Sequence, residues 1–524
     1  MATTPAALVT LLVLSAAGLL PALALAGLRL VTLPLAPLAG AALAALAATG
    51  LVACGGSFLV WFTALAVVVA SGVVATWMIW PGHRPRWSGG DLGQAGGAAG
   101  SRAVWVLGAV GAVGAVIWSL RGLATPTVGF DARAVWLLRA GWLFDSHRQV
   151  LIEFKSLDIP LVQSSYPPLV SAVAALARAV TGNSSLRLGV VVVALVDTCA
   201  LLVATLALLD AGQTVVRRLA SRPEGPGGSR RLVGWEGERW SRVASLAPPV
   251  VATAAMVLLV FVAFGITEPF MTNGYADPLW SLAAVGAIAW GLQLPVTHAN
   301  QGVAVVMVLV AGMTKNEGFA TACALIVLLA ARAMANLPRG ARRSRRWQPV
   351  LVALGELALI GVWPVLMRVI HARGVTSSYS SVSEWPGRAR ATYDWMAPYL
   401  HVLVLAVPVS LVAGVVLGRV RRGGGLGNDL WAWAALASGL FVIGASFVTG
   451  TPSIVDWLET TVHRVTEFAA LSGWWILAMW ALCSSSAPLA ARLDRRRLAA
   501  VAKESAGGQS EREEVAPSVD LPVP

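Results

Sequence analysis

Uninterrupted apolar runs of about 18 residues or more recur along most of this chain, and no other feature constrains the fold as strongly. Each run can cross a hydrocarbon core of about 30 Å as a helix. A backbone in lipid has no water to bond, so every span must satisfy its own N–H and C=O groups. The runs are Ala, Leu and Val stretches without the period-two alternation of barrel strands. The fold class is therefore all-α, a polytopic transmembrane helical bundle. Composition agrees: 57% of the 524 residues are hydrophobic and 12% are charged, against about 25% charged in soluble domains.

Spans are expected near 6–28, 33–54, 57–80, 103–121, 187–210, 247–266, 279–294, 301–314, 317–335, 348–370, 398–418, 430–449 and 466–488, about thirteen in all. The net charge of +13 would raise nucleic acid as a partner in a soluble protein. Here the Arg residues collect in short connections, as cytoplasmic loops require, and no aromatic-interleaved basic domain exists to grip a polynucleotide. Basic connections fall at Arg217 to Arg242, Arg339 to Arg346, Arg419 to Arg422 and Arg492 to Arg497. Even numbers of expected spans separate them, so all four can share the cytoplasmic face, with the N-terminus outside and the C-terminus inside.

The start of the chain lacks the basic n-region of a signal peptide and reads as a retained first span. Cys54, Cys199, Cys323 and Cys483 are scattered singly in apolar runs, which reads as small core residues rather than a redox or metal site. Residues 212–246 read as a flexible cytoplasmic linker, and 491–524 as a cytoplasmic tail that ends in polar, disordered sequence.

In this orientation residues 122–186, 267–278, 371–397 and 450–465, with the break around Lys315 to Gly318, lie on the outer face. Polar and ionisable residues concentrate there without an excess of Arg. Asp131 follows a span directly and opens a short interfacial helix with Val135, Leu138 and Trp142 on one face. Its carboxylate suits an N-cap or a general base that takes a proton from an attacking hydroxyl. Ser164-Ser165-Tyr166-Pro167-Pro168 sets an extended lead into a re-entering helix.

Glu268 and Asp277 bracket a short connection that also carries Asn273, Gly274 and Tyr275. Asp277 again suits a helix N-cap or a functional carboxylate held at the interface. Lys315 and Glu317 interrupt an apolar run too long for one span, so the chain must turn there and expose them at the outer surface. They suit a mutual salt bridge or a phosphate contact by Lys315. Arg464 stands at an outer helix end against the charge bias, where its fork suits phosphate oxygens; Arg368 and Arg373 fit the same role less well.

Taken in order, Gly-Phe-Asp131-Ala-Arg-Ala-Val-Trp136, Tyr166-Pro167-Pro168-Leu, Asn273-Gly-Tyr275-Ala-Asp277, Thr314-Lys315-Asn-Glu317-Gly318 and Arg464 resemble the GT-C class of integral membrane glycosyltransferases, over about residues 103–490. Residues 1–102 add apparent extra helices before the loop that normally follows the first span. The resemblance implies that Asp131 is the catalytic base. Lys315 and Arg464 would bind the phosphate of a polyprenyl-phosphate sugar donor. Tyr166, Glu268, Tyr275, Asp277 and Glu317 would orient the sugar and a glycan, lipid or protein acceptor. It implies inversion at the anomeric carbon, extracytoplasmic action at the plasma membrane, and no metal or other cofactor. No second acidic residue adjoins Asp131, as a paired-carboxylate metal site would need. The rival expectation is a transporter or flippase of a lipid-linked precursor, which would place ionisable groups near the bilayer midplane.

Overall fold

The computed structural model describes residues 3–79, 126–155 except 146, 164–220, 252–267, 271–337, 343–372, 380–400, 426–450 and 454–482, with a few isolated positions between. The elements among them are helical, and no strand occurs among the described residues. Eight described helices are long and apolar enough to cross a membrane: Thr3–Ala26, Thr32–Cys54, Phe58–Ile79, Leu186–Gly212, Asn316–Ala335, Trp347–Val369, Leu430–Thr449 and Thr461–Leu482.

Five of the thirteen expected spans are not among them. The run near 301–314 forms the apolar helix His298–Gly312, and the run near 247–266 is described as helix over Ala252–Thr267. The run near 279–294 becomes an α-helix, Asp277–Ala287, continued by a π-helical stretch, Ile288–Gln293. The runs near 103–121 and 398–418, the linker from 221 onward and the tail lie largely or wholly outside the described residues.

The first two helices form a hairpin held by close backbone approach. A Cβ on Gly18 would collide with the Ala36 carbonyl, and one on Gly40 with the backbone of Leu14. Lipid offers no hydrophobic gain from pairing two apolar helices, so small residues that admit tight packing take over that role. Gly302 brings His298–Gly312 against Leu25 in the same way. Leu186–Gly212 is buried along nearly all its length and forms a central post of the bundle. Phe58–Ile79 instead exposes Val60, Val68 and Met78, and Trp347–Val369 exposes Leu351, Leu354 and Val365. Long helices that present apolar side chains outward suit a hydrocarbon surround rather than water.

The bundle has two chemically distinct ends. Helix Asp277–Ala287 begins at Asp277, and its π-helical continuation ends where Arg332 donates to the carbonyls of Gly291 and Leu294, the latter at 2.8 Å. The same far end holds Arg29, which bonds Asp210 at 2.6 Å and Asn300 at 2.7 Å. The opposite end carries the acidic and basic residues singled out in the sequence.

Candidate functional site

The first loop and the segment before Asp277 are locked together by two glycines. Gly129 donates its N–H to the Asn273 carbonyl at 2.9 Å, and a Cβ at Gly129 would strike the Tyr275 ring. Gly274 adopts φ 83°, a conformation open to glycine, and lies against Val190 and Ala132. Together these contacts set the start of the loop helix on the end of the central post.

That helix begins with a π-helical turn, Ala132–Leu137, and continues as Leu138–Asp145. The Asp131 carboxylate makes no capping bond, contrary to one of the two sequence readings. It pairs with Arg464 of helix Ile454–Val465 instead. Asp277 likewise makes no cap; it accepts from Lys315 at 2.7 Å and lies 3.8 Å from Arg464. Lys315 also approaches Glu317 at 3.6 Å. Asp131, Arg464, Asp277, Lys315 and Glu317 therefore form one alternating chain of charges, drawn from segments up to 333 residues apart.

Burial grades this chain. The Asp131 side chain is 34% exposed, that of Arg464 10%, and those of Lys315 and Asp277 4% and 2%. The expectation that Lys315 and Glu317 lie open at the surface is corrected by this geometry. The break does end one helix and begin the next, but Asp277 draws the ammonium inward. An isolated buried charge is too costly, so the pair is buried together. Burial favours the neutral Lys315 amine, but Asp277 and Glu317 outweigh it and raise the pKa. Burial likewise favours the neutral Asp277 acid, but Lys315 and Arg464 hold its carboxyl below the usual range.

Aromatic residues frame the charges. Arg464 sits over the Tyr275 ring, 4.7 Å from its centroid, and Lys315 over Tyr166 at 5.9 Å. Tyr166 stacks on Trp136 at 5.4 Å and 15°. Burial, reinforced by Glu317, raises the phenol pKa of Tyr166, so it keeps its proton. The Tyr166-Pro-Pro segment is itself tied down. Leu169 donates to the Met313 carbonyl at 2.9 Å, Trp363 to that of Ser164 at 3.1 Å, and Arg139 to that of Tyr166 at 3.0 Å.

Seven of the eight residues expected at the site thus belong to one neighbourhood. Glu268 lies outside the described residues, as does Arg373. Arg368 ends helix Arg343–Val369, and no described contact ties it to the charged network. Reading the sequence missed Arg139, fully buried and stacked over Phe154 and Trp363, and Glu467, one turn after Arg464 and 2% exposed. It also missed Asp197, fully buried in the central helix. A charged letter inside an apolar run was the available signal for Asp197 and Glu467. Among the described residues no group of three or more His, Cys, Asp or Glu side chains is arranged to hold a metal ion.

The described residues define an all-α protein with eight helices long and apolar enough to cross a membrane and a charged network at one end. Comparison with family models, curated proteins and solved structures gave no match to this chain. A functional reading therefore rests on the site.

Proposed function

We propose that the chain is an inverting glycosyltransferase of GT-C type that moves a sugar from a polyprenyl-phosphate donor to an acceptor hydroxyl on the extracytoplasmic side of a plasma membrane. The observation that carries this reading is the Asp131–Arg464 pair: a partly exposed carboxylate beside a guanidinium at the mouth of a buried ionic network. The acceptor oxygen attacks the anomeric carbon and its proton passes to Asp131. The bond from that carbon to the phosphate oxygen breaks, and polyprenyl phosphate leaves. One carboxylate suffices when the leaving group is already a phosphate.

Arg464 is the group placed to meet the phosphate, because its fork matches phosphate oxygens. In the free protein it holds Asp131. A donor phosphate that draws Arg464 toward itself releases the carboxylate, so donor binding precedes base action. Lys315 is enclosed by Asp277 and Glu317 and acts through Asp277, which faces Arg464 from behind. Tyr275 and Tyr166 present ring faces to the two cations, and Glu317 closes the inner end of the network beside Lys315. Sidedness supports the extracytoplasmic assignment: Arg29 and Arg332 lie at the far end, toward which the Arg217 and Arg343 segments also run.

Asp131→Asn tests the proposal. With a labelled polyprenyl-phosphate sugar, transfer should fall by about 10²- to 10⁴-fold while donor binding persists. Undiminished transfer by the variant would end the assignment.

A second reading, transport or flipping of a lipid-linked precursor, is favoured by one observation. Asp197 lies eleven residues beyond Leu186, about 16 Å along its helix, and neither it nor Glu467 has a side-chain hydrogen-bond partner among the described residues. Asp197→Asn discriminates: it should spare sugar transfer in detergent, whereas a transporter would lose precursor movement across proteoliposomes.

A further inference from the structure

A cavity of about 660 Å³ opens along a different stripe of the first-loop helix from the charged network. Its floor is one helical face, Phe130, Arg133, Leu137, Gly141 and Asp145, completed by Arg178 from helix Leu169–Thr181. The size falls within the range of small-ligand sites, about 300–1,000 Å³. Two guanidiniums against one carboxylate leave an excess of positive charge. Arg133 is exposed and has no side-chain partner among the described residues, while Arg178 spends one N–H on a long contact, 3.4 Å, to the Leu137 carbonyl. Phe130 stands 66% exposed at the cavity, and Trp142 adds a second aromatic wall.

We infer that this cavity binds the phosphate of an anionic membrane phospholipid, with its glycerol and first methylenes lying on Phe130, Leu138 and Leu186. The mixture favours a lipid over a free anion. A soluble phosphate would gain from the two Arg residues but nothing from the apolar and aromatic walls, whereas an anionic amphiphile uses both. None of these side chains takes part in the Asp131 to Glu317 network, so the site stands whether or not the chain transfers sugars.

The full-length protein in neutral detergent, titrated with dioleoylphosphatidylglycerol or dioleoylphosphatidylcholine and read by native mass spectrometry, tests this. The anionic lipid should bind several-fold tighter. Arg133→Gln should cut that preference about fivefold, the effect of one cation beside an anionic lipid. Gly141→Leu leaves every charge in place and fills the cavity, since a Cβ there already lies 3.0 Å from the Arg178 guanidinium; it should abolish the tight phase. Arg390→Gln, an 86% exposed side chain on helix Trp385–Met396, should change nothing. Equal affinity for the two lipids, or wild-type binding by both cavity variants, would overturn the inference. Displacement of the lipid by low millimolar inorganic phosphate would assign the cavity to a soluble anion and overturn it as well.

Discussion

Arg464 faces three partners: Asp131, Asp277 and the Tyr275 ring. Its planar fork can stay beside Asp277 while it exchanges Asp131 for a phosphate, which a point charge on a flexible stem cannot. Arg464→Lys is therefore expected to behave like Arg464→Gln, each weakening donor binding by at least tenfold in a filter or calorimetric assay. Rescue by Lys would mean that charge alone suffices. Lys315 answers to a different cost. Lys315→Met leaves Asp277 buried beside Arg464 alone and should lower stability by about 3–5 kcal/mol, read as thermal unfolding in detergent. Lys315→Met with Asp277→Leu should destabilise less than Lys315→Met alone, because the most deeply buried carboxylate of the network is removed with its cation. The pair also sets a pH window. Asp277 has a lowered pKa, so its contribution is present above about pH 3.9 and is lost as pH falls through the folded value. Lys315 has a raised pKa, so its contribution is present below about pH 10.4 and is lost as pH rises through the folded value. The contribution of this pair should be flat between these limits, and Asp277→Asn should remove part of the acid limb. Asp131, Lys315 and Arg464 were legible as ionisable residues at the ends of apolar runs. That Lys315 would be buried was not legible, because its partner lies 38 residues away and sequence spacing says nothing of such a distance in space.

Among elements, those set by their own residues were the readable ones. Thr32–Cys54, Phe58–Ile79 and Leu430–Thr449 fall within a few residues of the apolar runs that define them, since length and hydropathy are local properties. The π-helical stretches Ala132–Leu137 and Ile288–Gln293 were not readable. An i to i+5 bond costs helical geometry and persists where tertiary contacts hold it, here the Tyr166 stack on Trp136 and the Val203 carbonyl that accepts from the Trp290 indole at 2.8 Å. Gly318 offers a test at this scale. A Cβ there would meet the Ala311 carbonyl and the Trp280 side chain, so Gly318→Leu should push helix Asn316–Ala335 off Asp277–Ala287. The expected result is loss of donor binding together with a lower melting temperature. Gly355→Leu, where nothing lies within 4 Å, should alter neither.

Among the described residues, the two ends of the bundle are held by different polar contacts. Arg388 donates to the Phe447 carbonyl at 3.0 Å and to that of Val448 at 2.9 Å, which fastens helix Trp385–Met396 to the end of Leu430–Thr449. The expected topology places that helix outside and the Arg29 turn inside. With Cys54 replaced by Ser, a cysteine introduced by Tyr393→Cys should react with a membrane-impermeant maleimide in intact cells, while one introduced by Leu28→Cys should react only after permeabilisation. Tyr393 is 72% exposed and Leu28 40%, so access and not burial decides the result. The opposite labelling pattern would invert the orientation and move the Asp131 network to the cytoplasm.

Sequence alone determined that the chain forms helices long and apolar enough to cross a bilayer, because that property follows from the polarity of consecutive residues and from the backbone's need to satisfy itself without water. It also marked which polar residues stand at the ends of the spans. Only the tertiary structure decided that Asp131 pairs with Arg464 rather than capping its own helix, that Lys315 turns inward to Asp277, and that a cationic cavity opens behind the first loop. Those outcomes depend on which span ends meet. Packing fixes that meeting through glycine approaches and buried charge pairs whose partners lie far apart along the chain.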